Sequence, residues 1–142
     1  MKQMDQPQVM YANGTILVAS IVMIDTSRNN AVIACTSNAR AFGVAALGSR
    51  EAPIPSVTAD PPEAAQAGDN VEVFTAGRVC LCRAGGAITA GAEIKSGGST
   101  GAGIVCAETT GLKENSVGTA LEAASSGEYF KLLVMPKTIT TP

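Results

Sequence analysis

The sequence predicts an all-β fold: a small barrel or sandwich of about eight to ten short antiparallel strands. Three observations lead there. Fifteen Gly and seven Pro punctuate the chain too often for long helices, whose interiors tolerate neither residue. The apolar content is Val, Ile, Leu and Ala, with three Phe, two Tyr and no Trp, and β-branched residues suit a pleated, half-buried surface. Short apolar runs also recur between Gly, Asn, Ser or Pro, with no helical pattern separating them.

The 142 residues fit one domain. Residues 1–14 are polar, hold Pro7, and offer only Val9, Met10 and Tyr11 as anchors, so they read as an extended N-terminal arm. The β domain is expected over residues 15–136. Its first element, Thr15 to Asp25, is a continuous apolar run that suits one or two strands covered on both faces. A turn follows at Ser27–Asn30. Strands are expected at Ala31 to Thr36, Phe42 to Leu47, Val71 to Thr75, Val79 to Arg83, Glu93 to Lys95, Gly103 to Ala107, Val117 to Glu122 and Tyr129 to Met135. Residues 137–142 are left as a C-terminal tail.

A Pro-rich loop, residues 48–69, interrupts this rhythm. It contains Pro53-Ile54-Pro55 and a predicted helical turn that Asp60 caps and Gly68 ends. A stretch this long without strand pattern is unusual inside a compact domain and marks a candidate contact element.

A faint internal repeat accompanies the strands. Ala19, Ala31, Ile33 and Cys35 recur as Ala90, Ala102, Ile104 and Cys106, all at one step of 71 residues (19 to 90). With shifted spacing, Gly43-Val44-Ala45-Ala46-Leu47 answers Gly118-Thr119-Ala120-Leu121, and Val71-Glu72-Val73-Phe74 answers Tyr129-Phe130-Lys131-Leu132. Two similar β units packed together would produce this pattern.

Composition also excludes chemistry. The chain has no histidine, which removes Ser-His-Asp and Cys-His machinery and the commonest general base. Its twelve acids form no cluster, and their ordinary role is to solvate the surface. No catalytic residue is expected, and the chain reads as non-enzymatic. The ten Lys and Arg are scattered and the formal charge is −2, which argues against nucleic acid. The apolar run Ile16 to Ile24 is about half the roughly 20 residues a membrane helix needs. No signal peptide is visible, so folding in a reducing cytoplasm is expected.

Cys80 and Cys82 fall on one face of a strand, where buried filler is the expected role, and Cys35 and Cys106 stand alone. Neither a metal nor a cofactor is expected. Gly85-Gly86 and Gly97 to Gly101 lack the Gly-Lys-Ser/Thr ending of a phosphate loop and read as turns. Lipoyl and biotinyl carriers are also small pseudo-repeated barrels, but Lys131 lies within a strand and Lys137 follows Pro136 rather than sitting in a hairpin turn.

The second half carries a family likeness. Ile88-Thr89-Ala90-Gly91-Ala92-Glu93-Ile94, Gly103-Ile104-Val105, Ser116 to Ser125 and the closing strand Tyr129 to Val134 resemble the cement, or head decoration, proteins of tailed bacteriophages. Phe42 to Leu47 and Ala67 to Val73 extend the likeness over most of residues 15–135.

The resemblance implies a structural virion protein on the outer capsid surface, assembled in the host cytoplasm. Its implied partners are the major capsid protein and its own copies in a homotrimer. It would stabilise the shell by bridging neighbouring coat subunits, many modest contacts acting together. The arm would add to or lie across the coat. Val9, Met10, Tyr11, Pro53, Ile54 and Pro55 are the candidate contact residues. The alternative is a phage tail or surface β module that binds a host glycan or another virion protein, a role for which five aromatic residues are a poor supply.

Overall fold

The computed structural model of the chain describes residues 8–46, 63–107 and 111–140. Pro53, Ile54, Pro55 and Asp60 lie outside the described residues. Within these the chain is all-β, with twelve strands and no helix.

The first seven strands are β1 (Gln8–Ala12), β2 (Ile16–Leu17), β3 (Ile21–Ile24), β4 (Ala31–Ala34), β5 (Gly43–Ala45), β6 (Glu63–Ala65) and β7 (Asn70–Phe74). Five of them close a barrel in the order β1-β4-β3-β5-β7, and β2 pairs with β6 at one end. The remaining strands are β8 (Val79–Arg83), β9 (Glu93–Ser96), β10 (Gly103–Val105), β11 (Lys113–Ala120) and β12 (Tyr129–Thr140), in the order β10-β9-β11-β12-β8.

The two units are copies of one topology. Val22 pairs with Ala34 and with Gly43, as Ile94 pairs with Val105 and Gly118. Ala45 pairs with Val73, as Ala120 pairs with Leu132. Met10 pairs with Val71, as Cys82 pairs with Phe130. Even the short end pairing recurs, Ile16 with Ala65 and Ile88 with Ala124. The turn before β7 has Gly68 at φ 95°, and the one before β12 has Gly127 at φ 88°.

The second sheet is not closed by a strand pairing, but one isolated bridge, Ala84 to Gly103, brings its ends round into a second, open barrel; inside the two, equivalent positions are filled by side chains of different sizes. The first unit buries Met10, Val22, Val32 and Val71. The second buries Cys82, Ile94 and Phe130 and places Gly103 where Val32 stands. A Cβ on Gly103 would lie 2.9 Å from Ile94 Cγ2, 3.2 Å from Cys82 Sγ and 3.4 Å from Phe130 Cζ. Close-packed interiors force this trade, because a large ring admits no second side chain in the same space.

The units differ at one seam. In the first, the Tyr11 N–H donates to the Asn30 carbonyl (2.7 Å) and the Asn13 N–H to the Val32 carbonyl (3.0 Å), joining β1 to β4. In the second, the Gly85 N–H donates to the Gly103 carbonyl (2.8 Å), which matches the latter bond. The bond matching the former is split. The Arg83 N–H donates to the Ala19 carbonyl (2.8 Å), and the Ile21 N–H donates to the Gly101 carbonyl (2.7 Å). Residues 19–21 of the first unit therefore sit as an extra rung between β8 and residue 101. Ala19 takes φ 56° to make the approach.

The first unit also closes one end of the second barrel. Ile21, Cys35, Ala41 and Val44 join Cys80, Val117 and Val134 in one core. Ser96 Oγ donates to the Cys35 carbonyl (2.7 Å), and the Asn38 and Asn115 side chains bond each other's backbone. In the second unit the equivalents of Ile21 and Val44 are Glu93 and Thr119. Glu93 accepts from Ser116 Oγ (2.9 Å) and Thr119 Oγ1 (3.3 Å) and pairs with Lys137 (3.0 Å). A polar face cannot repeat the apolar docking that the first unit makes.

Several sequence expectations change. The tract read as an arm is, from Gln8, a barrel strand paired on both sides, including a parallel pairing with β4. The expected all-β barrel is present, its strand pairings antiparallel except β1 with β4. Where a helical turn was expected, Glu63–Ala65 is strand β6, held against Ile16. The tail after Pro136 is strand as far as Thr140, because β12 continues along Lys113–Ser116. The repeat is real but shifted by one residue at two places: pairing aligns Ala19 with Gly91, not Ala90, and Val71 with Phe130, not Tyr129.

Candidate interaction surface

The second sheet turns an apolar face outward. Along β12 the side chains of Phe130, Leu132 and Val134 enter the barrel, which directs Tyr129, Lys131, Leu133 and Met135 the other way. On β8 Cys80 and Cys82 enter, leaving Val79 and Leu81 outside. Val79 is paired with Leu133 and Leu81 with Lys131. The Leu121 N–H donates to the Lys131 carbonyl (2.8 Å), which brings Leu121 beside the same stripe. Val79, Leu81, Leu121 and Met135 are 55%, 37%, 47% and 48% exposed. Neighbouring apolar side chains left in water on one sheet face mark a contact surface.

A second feature lies between the two units. Residues from β3, the turn before β5, the end of β7, β11 and β12 enclose a groove of about 730 Å³. Its apolar lining includes Met23, Ile24, Phe42 and Pro136, and Arg40 and Lys137 line it too.

The residues expected to make contacts are not one site. Val9 is exposed on β1, Met10 is buried inside the barrel, and Tyr11 is half-buried under the Arg28 guanidinium, 3.8 Å from the ring centre. Pro53, Ile54 and Pro55 lie outside the described residues. Sequence reasoning missed the outward face of β8 and β12. The signal was present: Leu132-Leu133-Val134-Met135 is apolar on both faces of a strand, and such a strand needs cover on both.

The titratable groups are structural. Glu114 is buried, pairs with Lys95 Nζ (2.5 Å) and accepts from the Ala107 N–H (2.9 Å). Cys35, Cys80 and Cys82 are buried free thiols, and Cys106 is buried too. Burial pushes the Cys80 thiol up to about 12. The Cys82 thiol is pushed higher still, by burial and then by Cys80 beside it. Among the described residues no three His, Cys, Asp or Glu side chains gather as metal ligands.

No protein-family model matches the chain, and no curated protein matches it. Among solved structures, it is similar to the crystal structure of the head fiber gp8.5 N base of bacteriophage phi29. The two are 15% identical with a TM-score of 0.62, over 90% of this chain and 92% of that one. At that identity the likeness is one of fold: the chain shares its β architecture, nearly end to end, with the base of a phage head fiber.

Proposed function

We propose that this chain is a structural protein of a bacteriophage virion, seated on the outer surface of the head, where it stabilises the shell by bridging neighbouring major capsid protein subunits. The observation that carries the reading is the fold shared with a head fiber base over 90% of the chain. Two others support it. The residues from Ile88 to Val134 resemble head decoration proteins, and the apolar face of Val79, Leu81, Leu121, Leu133 and Met135 needs a partner. Its work is binding rather than catalysis. A homotrimer would multiply modest coat contacts, so that release requires several to break together.

Electron microscopy of the parent particle, with quantitative mass spectrometry, tests this. The expected result is density flush with the shell across the junctions between coat subunits, in a copy number set by shell symmetry. Heads lacking the protein should lose their DNA at lower temperature, and adding it back should restore them. Absence from the head ends the reading. The fiber-base likeness favours a second one, in which the chain seats a projecting element; density continuing outward from each copy would select it.

A further inference from the structure

The duplication places one patch on the molecule twice. Cys82 pairs with Phe130 as Met10 pairs with Val71, so Leu81 and Lys131 are the counterparts of Val9 and Glu72. Each couple is a cross-strand pair whose side chains point away from its barrel. Val9 and Leu81 are 61% and 37% exposed, and Glu72 and Lys131 lie open to solvent, each between two buried neighbours. The copies carry opposite charge there, a carboxylate in the first unit and an ammonium in the second.

Neither charge is used inside the chain. Among the described residues the ion pairs join Lys95 to Glu114 and Lys137 to Glu93, and the side chains of Glu72 and Lys131 make no hydrogen bond. Glu122 reaches β12 here, but it spends Oε1 on the Lys131 backbone N–H (3.0 Å). Beside Lys131 the apolar stripe of Val79, Leu81 and Met135 stays in water. An ion pair in open water is worth little, whereas one flanked by apolar side chains that lose their water together acts in a lower dielectric and gains strength.

Two ways of covering the stripe with a second copy differ in this charge. A twofold contact puts the same patch on both sides and sets Lys131 against Lys131. A head-to-tail contact, the first unit of one copy on the second unit of the next, sets Glu72 against Lys131 and Val9 against the stripe around Leu81. Head-to-tail contacts leave one patch of each kind unused at the ends unless the copies close a ring.

We infer that the outward face of β8 and β12 receives the β1–β7 face of a second copy of this chain, Glu72 of one pairing with Lys131 of the next, and that three copies close the ring. The inference rests on the homotrimer in the reading above and assigns its contact.

Sedimentation equilibrium of the full-length chain tests it. The parent should reach a trimer, and Glu72→Lys or Lys131→Glu should each raise the concentration at half-assembly at least about tenfold, because like charges then face each other. Glu72→Lys combined with Lys131→Glu restores opposite charges across the contact and should return to within about threefold of the parent. Circular dichroism spectra of all three variants should match the parent's, since both side chains are exposed. A parent that stays monomeric or stops at a dimer, single reversals that assemble as the parent does, or a double variant no better than the singles overturns the contact. Occupancy on purified heads freed of the protein keeps the two readings apart. A monomeric chain that still coats heads leaves the head-surface reading standing, and a ring that ignores heads refutes that reading while the contact stands.

Discussion

The size trade between the two barrels can be tested by exchanging it. Gly103→Val places the first unit's side chain where a Cβ already lies 2.9 Å from Ile94 Cγ2 and 3.4 Å from the Phe130 ring. Gly103 keeps an ordinary strand backbone, so the cost is crowding alone, about 2–3 kcal/mol at the upper end for overpacking. Phe130→Val empties most of a fully buried ring; Phe→Ala costs roughly 3–5 kcal/mol, so about 2–3 kcal/mol is expected with three carbons retained. Made together, the two substitutions recreate the Val32 and Val71 pair of the sister barrel. The double variant should lose only about 1–3 kcal/mol, because Cys82 is smaller than the first unit's Met10 and part of the void remains. The coupling energy is then about 2–3 kcal/mol, well above the few tenths found for independent sites. Equilibrium denaturation of the four proteins in urea measures it. Additive losses, with coupling below about 0.5 kcal/mol, would refute the claim that the two barrels solve one packing problem in two ways.

Gly101→Ala should cost at least about 3 kcal/mol, because φ is 77° and the new Cβ would lie 2.2 Å from the Ile21 carbonyl oxygen; Gly127→Ala, at φ 88° with open space, should cost only about 1 kcal/mol, and thermal melts compare them. Glu114→Ala should cost about 3–5 kcal/mol by leaving Lys95 as an uncompensated, largely buried charge, measured by the same melts. Stability should fall as pH rises above about 9: the unfolded Cys80 thiol ionises near 9.0 while the folded one holds its proton to about 12, so the unfolded state binds fewer protons across that window. Cys80→Ala should lessen that alkaline slope in a pH series of denaturation midpoints, the buried Cys82 and Cys35 thiols supplying the part that stays. Deleting residues 1–12 should abolish the cooperative transition, since β1 closes the first barrel, and circular dichroism on heating would show a retained transition if that is wrong.

Most strands were legible because each is a run of Val, Ile, Ala or Leu between turn residues, and that needs only local information. What the alternation could not supply was the identity of the partner. β1 is five residues beside Pro7, and its pairing with β4 and β7 depends on chain far downstream, so locally it resembles a free arm. Glu63–Ala65 is helix-favouring by composition, yet pairing with Ile16 makes it strand. The duplication was half visible. Cys35 and Cys106, like Gly43 and Gly118, occupy equivalent places, while the Ala19 and Ala90 identity is coincidental. The paired residues Val22 and Ala34 are twelve positions apart and their equivalents Ile94 and Val105 eleven, which moves the true counterpart to Gly91. The candidate surfaces were the least legible. A strand apolar on both faces announces a need for cover but not that the chain leaves it unmet, and the groove is assembled from segments more than a hundred residues apart.

The rung at residues 19–21 gives the two halves unequal independence. The first barrel closes with its own backbone, and every strand in it is synthesised before Val79 leaves the ribosome. The second lacks the Ala19 carbonyl and the Ile21 N–H until the first is in place to supply them. Synthesis from the N-terminus thus delivers the template before the part that needs it. A gene fragment encoding only the later half would produce a gapped sheet with exposed hydrogen-bonding groups, ready to seize the corresponding stretch of any intact neighbour.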